Sequence, residues 1–261
     1  MKVSLVRARY PSVWEPTNLM YVSSYIQKFY KGDLSVEILD GFFDSDETIL
    51  NKVNDSDFVG FSGTTPQLSH MIKMSKLIKS QNPNIKIIAG GYGPSLQPLK
   101  ILNEPSFDFL VAGEGEQAML DILNGKTTGK LVSALPIPDI DTIPNPDRDS
   151  IDLNRYISIA EKDEGRRVTS IMTERGCAFG CTFCAEGMSY YTKIYRNKQE
   201  KTKKELDYIG SKMHDAKNKG GRNDLWLVDS NFGMYNEDIE TCKSIAECQS
   251  KYNWPEYIQC D

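Results

Sequence analysis

"FVGFSGTTPQLSHMIKMSKLIKSQNPNIKIIAGGYGP", residues 58–94, decides the architecture of the first half of the chain. The short apolar run Phe58 to Ser62 ends in a glycine-bearing loop. A segment with apolar residues at helical spacing starts after Pro66, and a second apolar run, "IKIIAGG", again ends in glycines. Strand, loop, helix, strand is the repeating unit of a parallel sheet, because each right-handed crossover lays a helix on one face. Working outward, "KVSLVR", "LSVEILD" and "FDFLVAGEGE" read as further strands. "TNLMYVSSYIQKFY", "DETILNKV" and a stretch beginning near Glu116 read as helices. Five strands alternating with helices predict an α/β domain over residues 1–130, a doubly wound, flavodoxin-like parallel sheet.

Three of these strands run into glycine loops: "GFSGTTPQ", "GGYGPS" and "GEGE". All three lie at strand carboxyl ends, the edge where an open parallel sheet holds a ligand, and missing side chains let backbone approach a large cofactor. The candidate binding residues are therefore Ser62, Gly63, Thr64, Thr65, Gly90, Gly91, Tyr92, Gly93, Gly113, Glu114, Gly115 and Glu116. The plainer alternative is that the glycines only make tight strand-to-helix turns. His70 is expected on a helix face with no obvious partner.

With 261 residues there is room for two ordinary domains, and 39% hydrophobic residues suffice to build their cores. The formal net charge of -5 argues against a nucleic-acid partner, since basic residues are outnumbered rather than clustered. No run is long and apolar enough for a membrane span, and "MKVSLVRARY" lacks the apolar core of a secretory signal. The reading is cytoplasmic. In that reducing setting six cysteines are thiols or metal ligands rather than disulfides.

Prolines 136, 138, 144 and 146 among several aspartates favour extended backbone, so residues 131–165 are expected to link two domains. Residues 166–261 open a second β/α succession. "VTSIMTE" is its first strand, a polar helix runs from about Asn197 to Lys217, "LWLVD" is a strand, a helix covers about Glu237 to Lys251, and "YIQCD" begins a third strand.

The first strand delivers its end into "ERGCAFGCTFCAEG", residues 174–187, in which Cys177, Cys181 and Cys184 stand as C-x3-C-x2-C. Three thiolates in one loop can hold three irons of a four-iron cluster and leave the fourth iron open to a substrate or cofactor. A zinc site is the rival, but it needs a second ligand pair, and Cys242, Cys248, Cys260 and His214 supply no such spacing. Three free thiols in a turn is the bland reading. Cys242, Cys248 and Cys260 are expected to be ordinary buried or half-buried thiols.

"ERGCAFGCTFC", with Phe183 before the last cysteine, resembles the signature of the radical S-adenosylmethionine (radical SAM) superfamily. "GFSGTT", "GGYGP" and "VAGEGE" resemble the strand-end loops of the cobalamin-binding domain that precedes the radical domain in one large subgroup. "IPDIDTIPNPDRDSIDLNRY" is similar to its connector and "LWLVDSNF" to its second barrel strand. The resemblance covers nearly the whole chain. It implies a [4Fe-4S] cluster on Cys177, Cys181 and Cys184, S-adenosylmethionine chelated at the fourth iron, and cobalamin lined by the three glycine loops. It further implies a 5'-deoxyadenosyl radical used for methyl transfer to, or rearrangement of, an unactivated carbon. The partners it implies are a small-molecule substrate and a low-potential electron donor such as flavodoxin or ferredoxin.

Two departures carry expectations of their own. The loop "RARYPSVWEP" has no histidine where many cobalamin domains place their cobalt ligand, and Gly93 stands where a second histidine is common, so the lower face of the corrin is not His-ligated. The superfamily's barrel uses about six strand-helix units, whereas this sequence stops in its third strand, which reads as a truncation within the barrel. Two alternatives follow: a corrinoid-binding module carrying a non-catalytic radical SAM portion, or an iron-sulfur electron-transfer protein, which requires a fourth protein ligand.

Overall fold

A computed structural model of the chain describes residues 1–184, 193–216 and 221–260. Ala185 to Gly187 of the quoted cysteine stretch, Lys217 at the end of the expected helix and Asp261 lie outside the described residues. The chain divides into two compact units. One comprises residues 1–12, 16–137 and 146–151, the other residues 13–15, 138–145 and 152–261.

The first unit is a six-stranded parallel sheet of β1 (Lys2–Arg7), β2 (Ser35–Asp40), β3 (Phe58–Ser62), β4 (Lys86–Gly90), β5 (Phe109–Ala112) and β6 (Leu131–Ser133). Its spatial order is β2-β1-β3-β4-β5-β6, the flavodoxin-like order with one edge strand added, and the direction of winding reverses between β1 and β3. Val3, Ser4, Leu5 and Val6 are all buried, as expected of a strand covered on both faces. Ser4 is tolerated there because its hydroxyl bonds that of Ser56 at 2.8 Å. Short β6, in register with β5 from Leu110↔Leu131 to Ala112↔Ser133, falls where no element was expected. Three residues with a lysine on one side carry too little pattern to mark a strand.

The helix Leu68–Gln81 shows why the opening stretch reads as it does. Leu68, Met71, Met74 and Ile78 enter the core with Phe61 and Ile87, while Lys73 and Lys76 stay at the surface. The preceding short 3-10 turn, Thr65–Gln67, carries a reciprocal capping arrangement with Pro66 at its start, and the Thr64 N–H donates to Gln67 Oε1 at 2.8 Å. Gln67 also donates to the Ala8 carbonyl, tying the β3 loop to the end of β1.

His70, on the same helix, is not partnerless as expected. Its Nδ1 accepts the Arg9 N–H at 3.0 Å, which leaves the proton on Nε2 to bond Asp46 Oδ1 at 3.0 Å. Asp46 also meets Lys73 at 2.7 Å and Arg9 at 2.6 Å. Hydrogen bonds from Lys73 and then His70 pull its carboxyl down to about 2. A carboxyl depressed on folding stabilises the protein above its ordinary value of 3.8, and that contribution disappears as pH falls through about 2. Asp46→Asn is therefore expected to cost about 1 kcal/mol at neutral pH, discounted for solvent screening, and to flatten the acid limb of an unfolding-versus-pH curve. An unchanged acid limb in the variant would remove this account.

The second unit holds a three-stranded parallel sheet, order β11-β10-β7, of β7 (Arg166–Ile171), β10 (Arg222–Leu227) and β11 (Tyr257–Cys260). Helices Leu153–Glu164, Gln199–Ala216 and Asp238–Tyr252 belong to this unit. The first of them falls within residues 131–165, where only a connector was read. It is capped by Asp152, whose side chain accepts the Asn154 N–H, and stopped by left-handed Gly165. Ile171, Leu206, Ile209, Met213, Leu225 and Trp254 form the core of the unit. A two-residue antiparallel ladder pairs β8 (Glu174–Arg175) with β9 (Tyr195–Arg196).

Candidate functional site

In the first unit the glycine loops meet one another. The Gly93 N–H donates to the Gly63 carbonyl at 2.9 Å and the Gly63 N–H to the Gly90 carbonyl at 3.3 Å. Gly91 has φ +90, and a Cβ there would lie 2.7 Å from the Gly63 carbonyl oxygen; one on Gly93 would lie 2.5 Å from that of Thr64. Any larger residue would force the two loops apart. Ser62 accepts from Asn18 Nδ2 at 2.6 Å, while Thr64 is held by Gln67. The result is a ledge of backbone and short side chains at the carboxyl edge beside the switch point, with Thr65 exposed and Tyr92 41% exposed on it. Such a ledge suits a broad flat ligand.

The third loop serves a different neighbour. Gly113, at φ +113, would place a Cβ 2.2 Å from the Ala134 carbonyl oxygen, and buried Glu114 accepts the Ile137 N–H at 2.7 Å. Gly115 lies against Val22, and Glu116 is buried at the start of the helix Gly115–Leu123. Gly90 has only ordinary contacts, the nearest at 3.9 Å. Protein backbone thus leaves no room for a side chain at Gly91, Gly93 or Gly113, whatever the ledge binds. Both nitrogens of His70 are engaged, which leaves neither free to ligate a metal.

In the second unit Cys177 is buried, Cys184 partly buried and Cys181 exposed. Phe183 is 89% exposed. Among the described residues, no three His, Cys, Asp or Glu side chains are gathered as a preformed metal site requires. Metal sites often assemble only as the ligand loop orders around the ion, so the donor set is judged by its chemistry and anchoring. Both fit. Cys177 Sγ receives a hydrogen bond from Asn231 Nδ2 at 3.2 Å, and the Cys184 N–H donates to the Cys181 carbonyl at 3.1 Å, turning the C-x2-C segment back on itself.

Acidic groups beneath the loop hold it to the sheet. Asp229, just past the end of β10, accepts from Thr173 N–H at 2.7 Å, Thr173 Oγ1 at 2.5 Å and Glu174 N–H at 3.0 Å, all buried. Burial pushes its carboxyl up despite those three bonds. Arg196 on β9 meets Glu174 and Asp238, each at 2.5 Å, and lies over the Tyr235 ring at 4.6 Å. Asp238 in turn accepts the Gly233 and Tyr235 N–H groups at 2.8 and 3.0 Å. Glu174 is pushed up to about 7, chiefly by burial, with Arg196 opposing and Asp229 and Asp238 adding to the rise.

Asp229, Asn231, Arg196 and Asp238 carry no role in the motif reading. A polar Asp-Ser-Asn directly after an apolar strand was the available signal for the first two. Of the remaining cysteines, Cys248 is buried, its thiol pushed up to about 11 by burial and donating to the Leu206 carbonyl. Cys242 and Cys260 are exposed rather than buried or half-buried: Cys260 lies at the end of β11, which pairs on one side with β10.

Residues 3–123 match the B12 binding domain family. An uncharacterized methyltransferase of Pyrococcus horikoshii is 26% identical over 217 residues, covering 74% of this chain and 45% of that protein. The cobalamin-dependent radical SAM methyltransferase TokK of Streptomyces tokunonensis is 24% identical over 207 residues, covering 72% and 29%. Among solved structures, the radical S-adenosylmethionine methyltransferase TsrM of Kitasatospora setae, with tryptophan substrate and an S-adenosylmethionine analog bound, matches 96% of this chain and 52% of its own. Its TM-score of 0.69 at 17% identity speaks for the fold. The chain spans about half or less of the length of these relatives. No helix among the described residues is long and apolar enough to cross a membrane. The chain is thus similar over residues 3–123 to the B12 binding domain family, and over most of its length to proteins that include a cobalamin-dependent radical SAM methyltransferase.

Proposed function

We propose that this chain carries the cobalamin-binding domain, residues 1–130, and the first strands of the radical SAM barrel, residues 166–261, of an enzyme that transfers a methyl group to carbon. The observation that carries the reading is the placement of Cys177. It is buried beyond the carboxyl end of the unit's first strand, two residues after β8, and its Sγ accepts from Asn231, the residue that follows Asp229 and Ser230. Cys177, Cys181 and Cys184 would hold a [4Fe-4S] cluster. Such a cluster would supply one-electron reduction of S-adenosylmethionine.

The chain's own residues do the positioning. Asp229 fixes Thr173 and Glu174, Arg196 on β9 joins Glu174 to Asp238, and the ledge of Gly63, Thr64, Gly91 and Gly93 would seat the corrin. Rearrangement of a carbon skeleton is the second outcome compatible with the same parts. Methyl transfer is preferred because TokK and the protein from Pyrococcus horikoshii are both named methyltransferases. A small-molecule substrate and a low-potential one-electron donor complete the proposed reaction.

The test is anaerobic reconstitution with iron and sulfide, then electron paramagnetic resonance of the dithionite-reduced protein with and without S-adenosylmethionine. A cubane signal that changes on addition is the expected result. A cubane signal indifferent to S-adenosylmethionine would leave an electron carrier, and cobalamin retained without any cubane would leave a corrinoid-binding module.

A further inference from the structure

Asn231 stands two residues beyond Asp229, in the turn that follows β10, and its Nδ2 reaches Cys177 Sγ at 3.2 Å across 54 residues of sequence. The turn does not float. Asp229 bonds the backbone of Thr173 and Glu174, so the Asn231 amide and the Cys177 sulfur are carried by two segments already fixed to each other. The contact is partly buried, where water competes weakly for the amide.

A hydrogen bond onto a thiolate strengthens as the sulfur gains negative charge. Reduction of a [4Fe-4S] cluster from the 2+ to the 1+ state adds one electron from a low-potential donor, with no bond broken and no proton moved, and part of that density falls on the ligand sulfurs. A donor to one sulfur therefore favours the reduced state over the oxidised one, and hydrogen bonding to sulfur is an established lever on cluster potential. We propose that Asn231 is a positioning residue that raises the reduction potential of the cluster held by Cys177, Cys181 and Cys184, acting through the Cys177 sulfur. This rests on the cluster reading above. It assigns the polar residue after the second barrel strand to electron transfer rather than to metal ligation or substrate contact.

The experiment is a redox titration of the anaerobically reconstituted protein, followed by the reduced-cluster resonance signal, for wild type, Asn231→Leu and Asn231→Asp. Leucine removes the donor at nearly constant volume, while aspartate removes it and adds a negative charge. The expected order of potentials is wild type above leucine above aspartate. For leucine we expect about a tenfold fall in the reduction equilibrium constant, which for a one-electron couple is about 59 mV. Equal potentials in all three proteins, with iron and sulfide content unchanged, would overturn this inference and leave the cluster reading standing. Loss of the cluster from both variants, with circular dichroism intact, would also overturn it, because Asn231 would then hold the cluster rather than tune it. A wild-type protein that assembles no cubane would overturn the cluster reading and this inference with it.

Discussion

Replacing Cys177, Cys181 or Cys184 singly with alanine is expected to leave the reconstituted protein with less than about a tenth of its cluster iron, because a cubane held by three thiolates cannot spare one. Alanine at Cys242, Cys248 or Cys260 is expected to leave iron content unchanged. The contrast carries the information. Cys248 is buried in the core with its sulfur on the Leu206 carbonyl, and Cys242 and Cys260 are exposed on a helix and a strand away in sequence from Cys177, Cys181 and Cys184. Iron and sulfide assays on the six variants decide the point. A fall in iron at any of the second three would reveal a fourth protein ligand and convert the site into an electron carrier, while retention of iron in Cys177→Ala would detach the metal from this loop.

The second large effect is expected at Asp229. Alanine there strips partners from two buried backbone N–H groups and one buried hydroxyl at once. Unsatisfied buried donors cost about 1–3 kcal/mol each, and the effects overlap, so a loss of roughly 3 kcal/mol from the second unit is expected. Asp229→Asn keeps one acceptor oxygen and should lose about half as much. The measurement is convenient: all three tryptophans, Trp14, Trp226 and Trp254, belong to that unit, and Trp14 packs against Trp226 with tilted rings whose centroids lie 4.4 Å apart. Urea unfolding followed by tryptophan fluorescence therefore reports the second unit. A shift below about 0.5 kcal/mol for the alanine variant would show that Thr173 and Glu174 hold their places without the carboxylate.

The first unit was largely legible in the sequence because its strands are nearly continuous apolar runs and its helices strongly periodic. Ile87 to Ala89 permits little else once Gly90 and Gly91 follow it, while Val3 to Val6 is marked by its buried run alone. Short β6 was not legible, since three residues cannot show a period. The helix Leu153–Glu164 was hidden by the prolines just before it, which stop a helix but say nothing of what begins after them. The cysteines announce themselves by spacing. Their supports do not, because Asp229, Asn231, Arg196 and Asp238 lie up to 61 residues along the chain from Cys177 and come near it only once β7 has paired with β10 and β8 with β9.

That separation gives the site a schedule. Chain synthesis at about 5–20 residues per second places Asn231 some 3–11 s behind Cys177. For that interval the three thiols are on a nascent chain whose β10 strand, Asp229 anchor and Asn231 amide have not been made. Iron offered early meets a flexible trio of cysteines, while iron offered after residue 231 meets a loop that can be tied at both ends. The order in which the polypeptide is made thus separates the appearance of the three proposed ligands from the completion of their frame.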